Sequence, residues 1–213
     1  AGVTGRRSRR RGLPPPGPDF FHRTTGLTGV EVMRELAGDR PEAELRAMVA
    51  HKEALPQAVQ ALGRPCVLKS ASFGYDGKGQ VRIDPETDLN SVWETMGGGL
   101  AILEAFVDFQ REISVVTAPL QNKAMELFVP VENQHRNHIL DTTIAPARIT
   151  SATGQKAEAI ARHIAQEIKL VGLLAVEMFV TKSGDVLVNE LAPRPHNSGH
   201  WTIDACVTSQ FEQ

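Results

Sequence analysis

The sequence predicts an α+β protein, on three observations. Within the stretch Val176 to His200, two apolar, β-branched runs flank Lys182-Ser183-Gly184-Asp185, which is turn chemistry, so these runs read as an antiparallel hairpin. Pro65 to Lys69 and Gln80 to Ile83 read as two further strands around a glycine-rich loop. A long amphipathic helix stands apart from both, with Ala157, Ile160, Ala161, Ile164, Ala165 and Ile168 on one stripe. Strands that turn back on themselves beside separate helices are the α+β pattern, not the alternating βαβ one.

The elements follow in order. Residues 1–50 read as a basic, proline-rich leader. Arg6, Arg7, Arg9, Arg10 and Arg11 precede Pro14-Pro15-Pro16-Gly17-Pro18, which packs neither as a helix nor as a central strand. A solvated tail is the plain reading of this arm, and a phosphate- or RNA-touching arm is the alternative. Val30 to Val49 carries helical spacing in Val32, Leu36, Leu45 and Val49, broken by Gly38 and Pro41, and predicts two short helices. Gln57 to Leu62 predicts a helix stopped by Gly63. Leu100 to Leu103 predicts a strand running into Glu104-Ala105-Phe106-Val107, Arg111 to Ala118 an alternating strand, and Leu127 to Val131 another. The polar cluster Glu132 to His138 predicts a loop. His138 and His163 read as surface histidines and Trp93 as packing, while Trp201 and Tyr75 are left open between packing or ordering and substrate contact.

Composition narrows the class. A net charge of −2 argues against nucleic acid as the main partner. Cys66 and Cys206 supply neither a disulfide framework nor metal-type spacing, which fits reduced thiols and a cytoplasmic location. No apolar run approaches the roughly 20 residues needed to span a bilayer, so no membrane is expected.

Chemistry concentrates in two places. From Ser70 to Gly79 three glycines, Gly74, Gly77 and Gly79, sit between two strands, with Lys69 and Lys78 at the flanks. Backbone N–H groups of such a loop can turn toward an anion, although the spacing is not that of a Walker loop and a plain turn is the alternative. The second place is the hairpin. Pairing Thr181 with Val186 and counting outward puts Glu177 opposite Glu190. Opposed side chains lie about 4.5–5.5 Å apart at Cβ, and like charges there repel. In apolar strands such a pair needs a proton or a cation, and Mg²⁺ typically takes one or two carboxylates plus substrate phosphates. Two solvated glutamates on an edge hairpin would be the bland alternative. Arg194, His196, Asn197 and His200 follow directly and add anion-binding and hydrogen-bonding groups.

The segments V-L-K-S-A-S-F-G-Y-D-G-K-G-Q, P-V-E-N-Q-H-R-N-H-I-L and N-E-L-A-P-R-P-H-N-S-G-H-W resemble the ATP-grasp fold and, within it, the N5-carboxyaminoimidazole ribonucleotide synthetases, over roughly residues 55–213. The resemblance implies an ATP-grasp domain over residues 51–213, with a lid-bearing part to about 104 and a metal- and substrate-bearing part from 105. It implies ATP and Mg²⁺ (Mn²⁺ as the alternative) as cofactors. Lys69 would meet the phosphates, and Gly74, Tyr75, Asp76, Gly77, Lys78, Gly79 and Gln80 would form the lid. Glu104, Ala105, Phe106 and Val107 would line the adenine edge, Glu112 would hold the ribose, and His135 would touch the nucleotide. Glu177 and Glu190 would bind the metal with Asn189 beside them. Arg194, His196 and Asn197 would face bicarbonate and the carboxyphosphate made from it, and 5-aminoimidazole ribonucleotide would accept the CO₂. The sequence does not fix the oligomeric state; a homodimer is one assembly open to it. No G-x-G-x-x-G turn occurs in residues 1–50, so the family's flanking domains are expected to lie outside this chain. Another ATP-grasp carboxylase, or a nucleotide-binding piece without turnover, is the alternative.

Overall fold

The computed structural model describes residues 46–70, 79–119, 125–137 and 139–213. The predicted helices between Val30 and Leu45, and the lid residues Gly74, Tyr75, Asp76, Gly77 and Lys78, lie outside these residues.

Two antiparallel sheets carry the chain. The first has the strand order β1-β4-β2-β3, formed by β1 (Arg46–Val49), β2 (Cys66–Ser70), β3 (Gln80–Ile83) and β4 (Ala101–Ala105). Residues 46–49 were expected in a helix of the leader; they form instead an edge strand whose Val49 is fully buried. One face of this sheet buries Leu68, Leu103, Cys66 and Ile83 against α1 (Leu55–Leu62) and α2 (Leu89–Met96). Proline in the first turn and Gly63 at φ 83 bound α1. The Asp88 carboxylate caps α2 by accepting from the backbone of Asn90 and Ser91. Trp93 packs on this core, as expected. By the period of two, Lys69 and Glu104 stand on the opposite face.

The second sheet runs β10-β9-β5-β7-β8 with β6 added to β5, from β5 (Phe109–Pro119), β6 (Met125–Leu127), β7 (Val131–Arg136), β8 (Ile139–Ile144), β9 (Leu174–Thr181) and β10 (Val186–Ala192). The predicted helix is α3 (Ser151–Glu167), capped by the Thr150 hydroxyl, and Ala157, Ala161, Ile164 and Ala165 are buried along its stripe. They pack on Ile113, Val115, Val176, Met178, Val180, Val186 and Val188, while the opposite face carries Glu112, Ser114 and Glu177 beside a smaller apolar cluster of Val116, Ala175 and Ala192.

Two expectations fail in this sheet. The run Leu127 to Val131 is not one strand, because the ladder stops at Leu127 and resumes at Val131 after Pro130. The polar cluster expected to be a loop is β7 itself. Its side chains find partners instead of solvent: Glu132 with Arg111 and Arg148, Asn133 with Ser114, and His135 with Glu112. A strand that satisfies its polar groups has no need of an apolar pattern.

The hairpin differs near its turn. Thr181 N–H donates to Asp185 O, and Gly184 takes φ 86, so Lys182, Ser183 and Gly184 form the loop and Val180, not Thr181, begins the ladder opposite Val186. A bulge between Val188 and Glu190 then absorbs one residue, and Glu190 stands opposite Glu177 as expected. Asn189 is the additional residue, so Asn189 and Glu190 together oppose Glu177. Because of the shorter turn, Val186 and Val188 point toward α3 while Glu190 keeps to the polar face.

Candidate active site

The polar face of the second sheet is assembled by register. Ser114 lies opposite Glu177, Glu112 opposite Asn133, and Asn133 opposite Thr143. From the first sheet Lys69 is near enough for its charge to act on both Glu177 and Glu190. Lys69 Nζ is itself held at 2.5 Å by the Glu104 carboxylate, whose side chain is only 10% exposed. The lysine is thereby presented with its position fixed, not swinging on a free stem.

The two opposed carboxylates are unlike one another. Burial would push Glu177 up, but the hydrogen bond from His196 Nε2 at 2.9 Å, and the charges of His196, His135 and Lys69, outweigh it and hold Glu177 below the usual carboxylate range. Glu190 goes the other way. It keeps solvent access, yet protein around its carboxyl desolvates it, and the Glu177 charge adds to the rise against Lys69, His196 and Arg194. Two neighbouring acids driven apart in this way lack a positive charge between them. Among the described residues no three His, Cys, Asp or Glu side chains cluster as a metal cage. Two carboxylates with an amide oxygen from Asn189 fit a Mg²⁺ that draws its remaining ligands from phosphate and water.

His196 is oriented from its far side. Asn133 Nδ2 donates to Ser114 Oγ at 3.0 Å, and Ser114 Oγ donates to Ser198 Oγ at 2.7 Å. Ser198 Oγ lies 2.8 Å from His196 Nδ1, and the Ser198 backbone N–H points at the same nitrogen at 3.3 Å. Ser198 Oγ and the Ser198 N–H both meet Nδ1, so in the neutral ring Nδ1 is the acceptor and the proton sits on Nε2, facing Glu177; in the protonated ring Nε2 still donates to Glu177 and the charge adds to the bond. Ser114 and Ser198 are fully buried.

The remaining predicted residues fall as follows. Glu112 and His135 meet at 2.5 Å, and this hydrogen bond raises the imidazole above its ordinary value against its burial, with help from the Glu112 and Glu177 charges. Ala105 ends β4, and exposed Phe106, stacked under the Arg82 guanidinium at 4.4 Å, donates its N–H to Pro65 O. Val107 follows on the way to β5, and the carbonyl of Gly79, at φ 75, accepts from Ser70 N–H beside Gln80. Arg194 and Asn197 are exposed beside His196, and Trp201 packs edge-on against Phe128.

Sequence reasoning missed Ser114, Asn133, Ser198 and Gln210. A serine inside the apolar alternation of Ile113 to Val116 is a signal for the first, whereas the others are defined only by contacts between distant segments.

The ATP-grasp domain model matches residues 43–211. The chain is 49% identical over 167 residues to the N5-carboxyaminoimidazole ribonucleotide synthase of Bacillus subtilis (strain 168), covering 78% of this chain and 44% of that protein. Two crystal structures of N5-carboxyaminoimidazole ribonucleotide synthetases in complex with ADP are similar in shape. One, 43% identical, superposes with a TM-score of 0.81 over 89% of this chain and 50% of its own. The other, from Staphylococcus aureus, is 36% identical with a TM-score of 0.72 over 79% of this chain and 45% of its own. The chain thus spans about half the length of the relatives it matches. A glutamate-held lysine and an opposed carboxylate pair are therefore found in a chain that belongs to the ATP-grasp family and is similar, over most of its length, to the N5-carboxyaminoimidazole ribonucleotide synthetases.

Proposed function

We propose that this domain carries out ATP- and bicarbonate-dependent carboxylation of 5-aminoimidazole ribonucleotide, a step of purine biosynthesis, in the cytoplasm. The supporting observation is the opposed pair Glu177 and Glu190, with His196 bonded to the first and Lys69 acting on both. Phosphoryl transfer asks a protein for position and charge neutralisation more than for covalent help. Glu177, Glu190 and Asn189 would hold Mg²⁺, which when bound supplies charge neutralisation for the phosphates. Lys69, fixed by Glu104, would contribute a second positive charge to the phosphates. Glu112 and His135 would meet the nucleotide's sugar, and Glu104 to Val107 its base. Residues 74–80 would close over the phosphates and exclude water. Arg194, His196 and Asn197, at the end of β10, would bind bicarbonate. A bicarbonate oxygen would attack the γ-phosphorus and displace ADP, giving carboxyphosphate; this would collapse to CO₂ and phosphate, and the exocyclic amine of the ribonucleotide would add to the CO₂ and lose a proton as the new N–C bond forms.

The test is ADP release by this chain with and without bicarbonate and 5-aminoimidazole ribonucleotide. Release that needs both supports the proposal. That the chain spans about half of its relatives favours one second reading, an ATP- and Mg²⁺-binding domain without turnover on its own. Nucleotide binding with no release under any of these conditions would establish that reading instead.

A further inference from the structure

Gln210 is fully buried, yet no part of the proposed chemistry uses it. Its side-chain amide spans the backbone of His196: the His196 N–H donates to Gln210 Oε1 at 3.0 Å, and Gln210 Nε2 donates to His196 O at 2.8 Å. A bidentate contact of this kind sets both the position and the direction of a backbone segment. Gln210 is held in turn by its own N–H, which donates to Thr202 Oγ1 at 2.9 Å, while Thr202 Oγ1 donates to Gly199 O at 2.6 Å.

A second, independent observation agrees. A Cβ added at Gly199 would lie 2.4 Å from Gln210 Oε1 and 2.6 Å from Gln210 Cδ. The turn Asn197–Gly199 therefore passes so close to the amide that only glycine fits against it. The ring of His196 is held by Ser198 and its backbone by Gln210.

We propose that Gln210 is a positioning residue for His196, holding its backbone so that Nε2 meets Glu177 at the carboxylate pair. The kinetic part rests on the function proposed above, but the placement of His196 does not.

The experiment compares the full chain with Gln210→Met, which keeps the volume and removes the clamp, with Gly199→Ala, which leaves Gln210 intact but displaces its amide, and with Gln210→Ala and the Gly199→Ala/Gln210→Ala double variant. Ring-nitrogen NMR of the unliganded proteins, with His196 identified by difference against His196→Gln, reads the tautomer. The wild type is expected to give the Nε2–H tautomer, and both Gln210→Met and Gly199→Ala to give averaged tautomer signals. The kcat is expected to fall about 10- to 100-fold, the scale of a small misplacement, with the KM for ATP changed less than about twofold. The double variant should be no worse than Gln210→Ala, because removing the amide leaves room for the new methyl. An unchanged His196 tautomer in folded Gln210→Met, or additive losses in the double variant, would overturn the proposal. So would unfolding of all the variants, which would make Gln210 a support of the whole domain and not of His196. If the wild type releases no ADP, the function proposal fails, while the NMR comparison still decides this one.

Discussion

Replacing Glu190 with Gln tests the carboxylate pair through stability as well as catalysis. At about 5 Å and an effective dielectric near 20, two unit charges repel by about 3 kcal/mol. Glu190 is open to solvent on one side, and Lys69, His196 and Arg194 act against the repulsion, so about 0.5–1 kcal/mol should survive screening. Glu190→Gln removes that repulsion and keeps the shape. In a domain of this size the gain raises Tm by about 1–4 °C. The sign with pH follows from the raised Glu190 value. The protonated acid is favoured in the fold, so its contribution is complete below the ordinary carboxylate range and is lost as pH rises through the raised value. The advantage of Glu190→Gln should therefore be full at neutral pH, shrink as pH falls through the raised value, and be gone below about 4. Thermal unfolding in EDTA reads this directly. A second series with Mg²⁺ and ADP should stabilise the wild type and leave Glu190→Gln nearly unmoved, since ligand stabilisation scales with affinity. The variant should also lose Mg²⁺-dependent turnover. A lower Tm for the variant in EDTA, or equal stabilisation of both proteins by Mg²⁺ and ADP, would refute the opposed pair as a cation site.

Other substitutions probe the surroundings. Lys69→Met should weaken ADP at least about tenfold in calorimetry, about 1.4 kcal/mol, while the KM for bicarbonate changes far less; equal losses would remove Lys69 from the nucleotide. The same change strands buried Glu104 without its lysine and should lower Tm. Glu132, held by Arg148 against its burial and helped by Gln134 and Arg111, is lowered from 4.5 to about 2. That lowering corresponds to about 3 kcal/mol, and because the Arg148 side chain is 55% exposed, about 1–2 should remain after screening. Glu132→Gln should lose this at pH 7, and the deficit should shrink as pH falls from the ordinary carboxylate range through about 2, as urea titrations across pH would show. Ser114→Ala breaks the buried chain to His196 and leaves Asn133 Nδ2 without its acceptor, at a cost of about 1–3 kcal/mol in urea unfolding. A neutral result would mean that the chain does not hold His196.

The parts of this molecule that were legible in its sequence are those governed by short-range rules. The stripe from Ala157 to Ile168 is α3, and the glutamates of the hairpin face each other as counted. Strand β7 was hidden because Glu132, Asn133 and His135 are stabilised by partners on β5 and in the loop before α3, which no local pattern announces. Exposed β8, with Asp141-Thr142-Thr143 at its centre, lacks an apolar alternation for a similar reason: it is an edge. The bulge did leave a trace. Val186, Val188 and Leu191 are buried, and the step from 188 to 191 breaks the period of two. The Ser114–Ser198 contact joins residues 84 positions apart and leaves none.

Asn189 has a consequence for how such a site can change. Deleting it would yield a regular ladder, with Glu190 still across from Glu177 and Leu191 still turned to the helix side. Nothing in the interior would have to repack. The only casualty would be one oxygen-bearing side chain beside the carboxylates. A one-codon loss or gain on this strand therefore retunes how many donors greet a cation while the hydrophobic interior registers no difference.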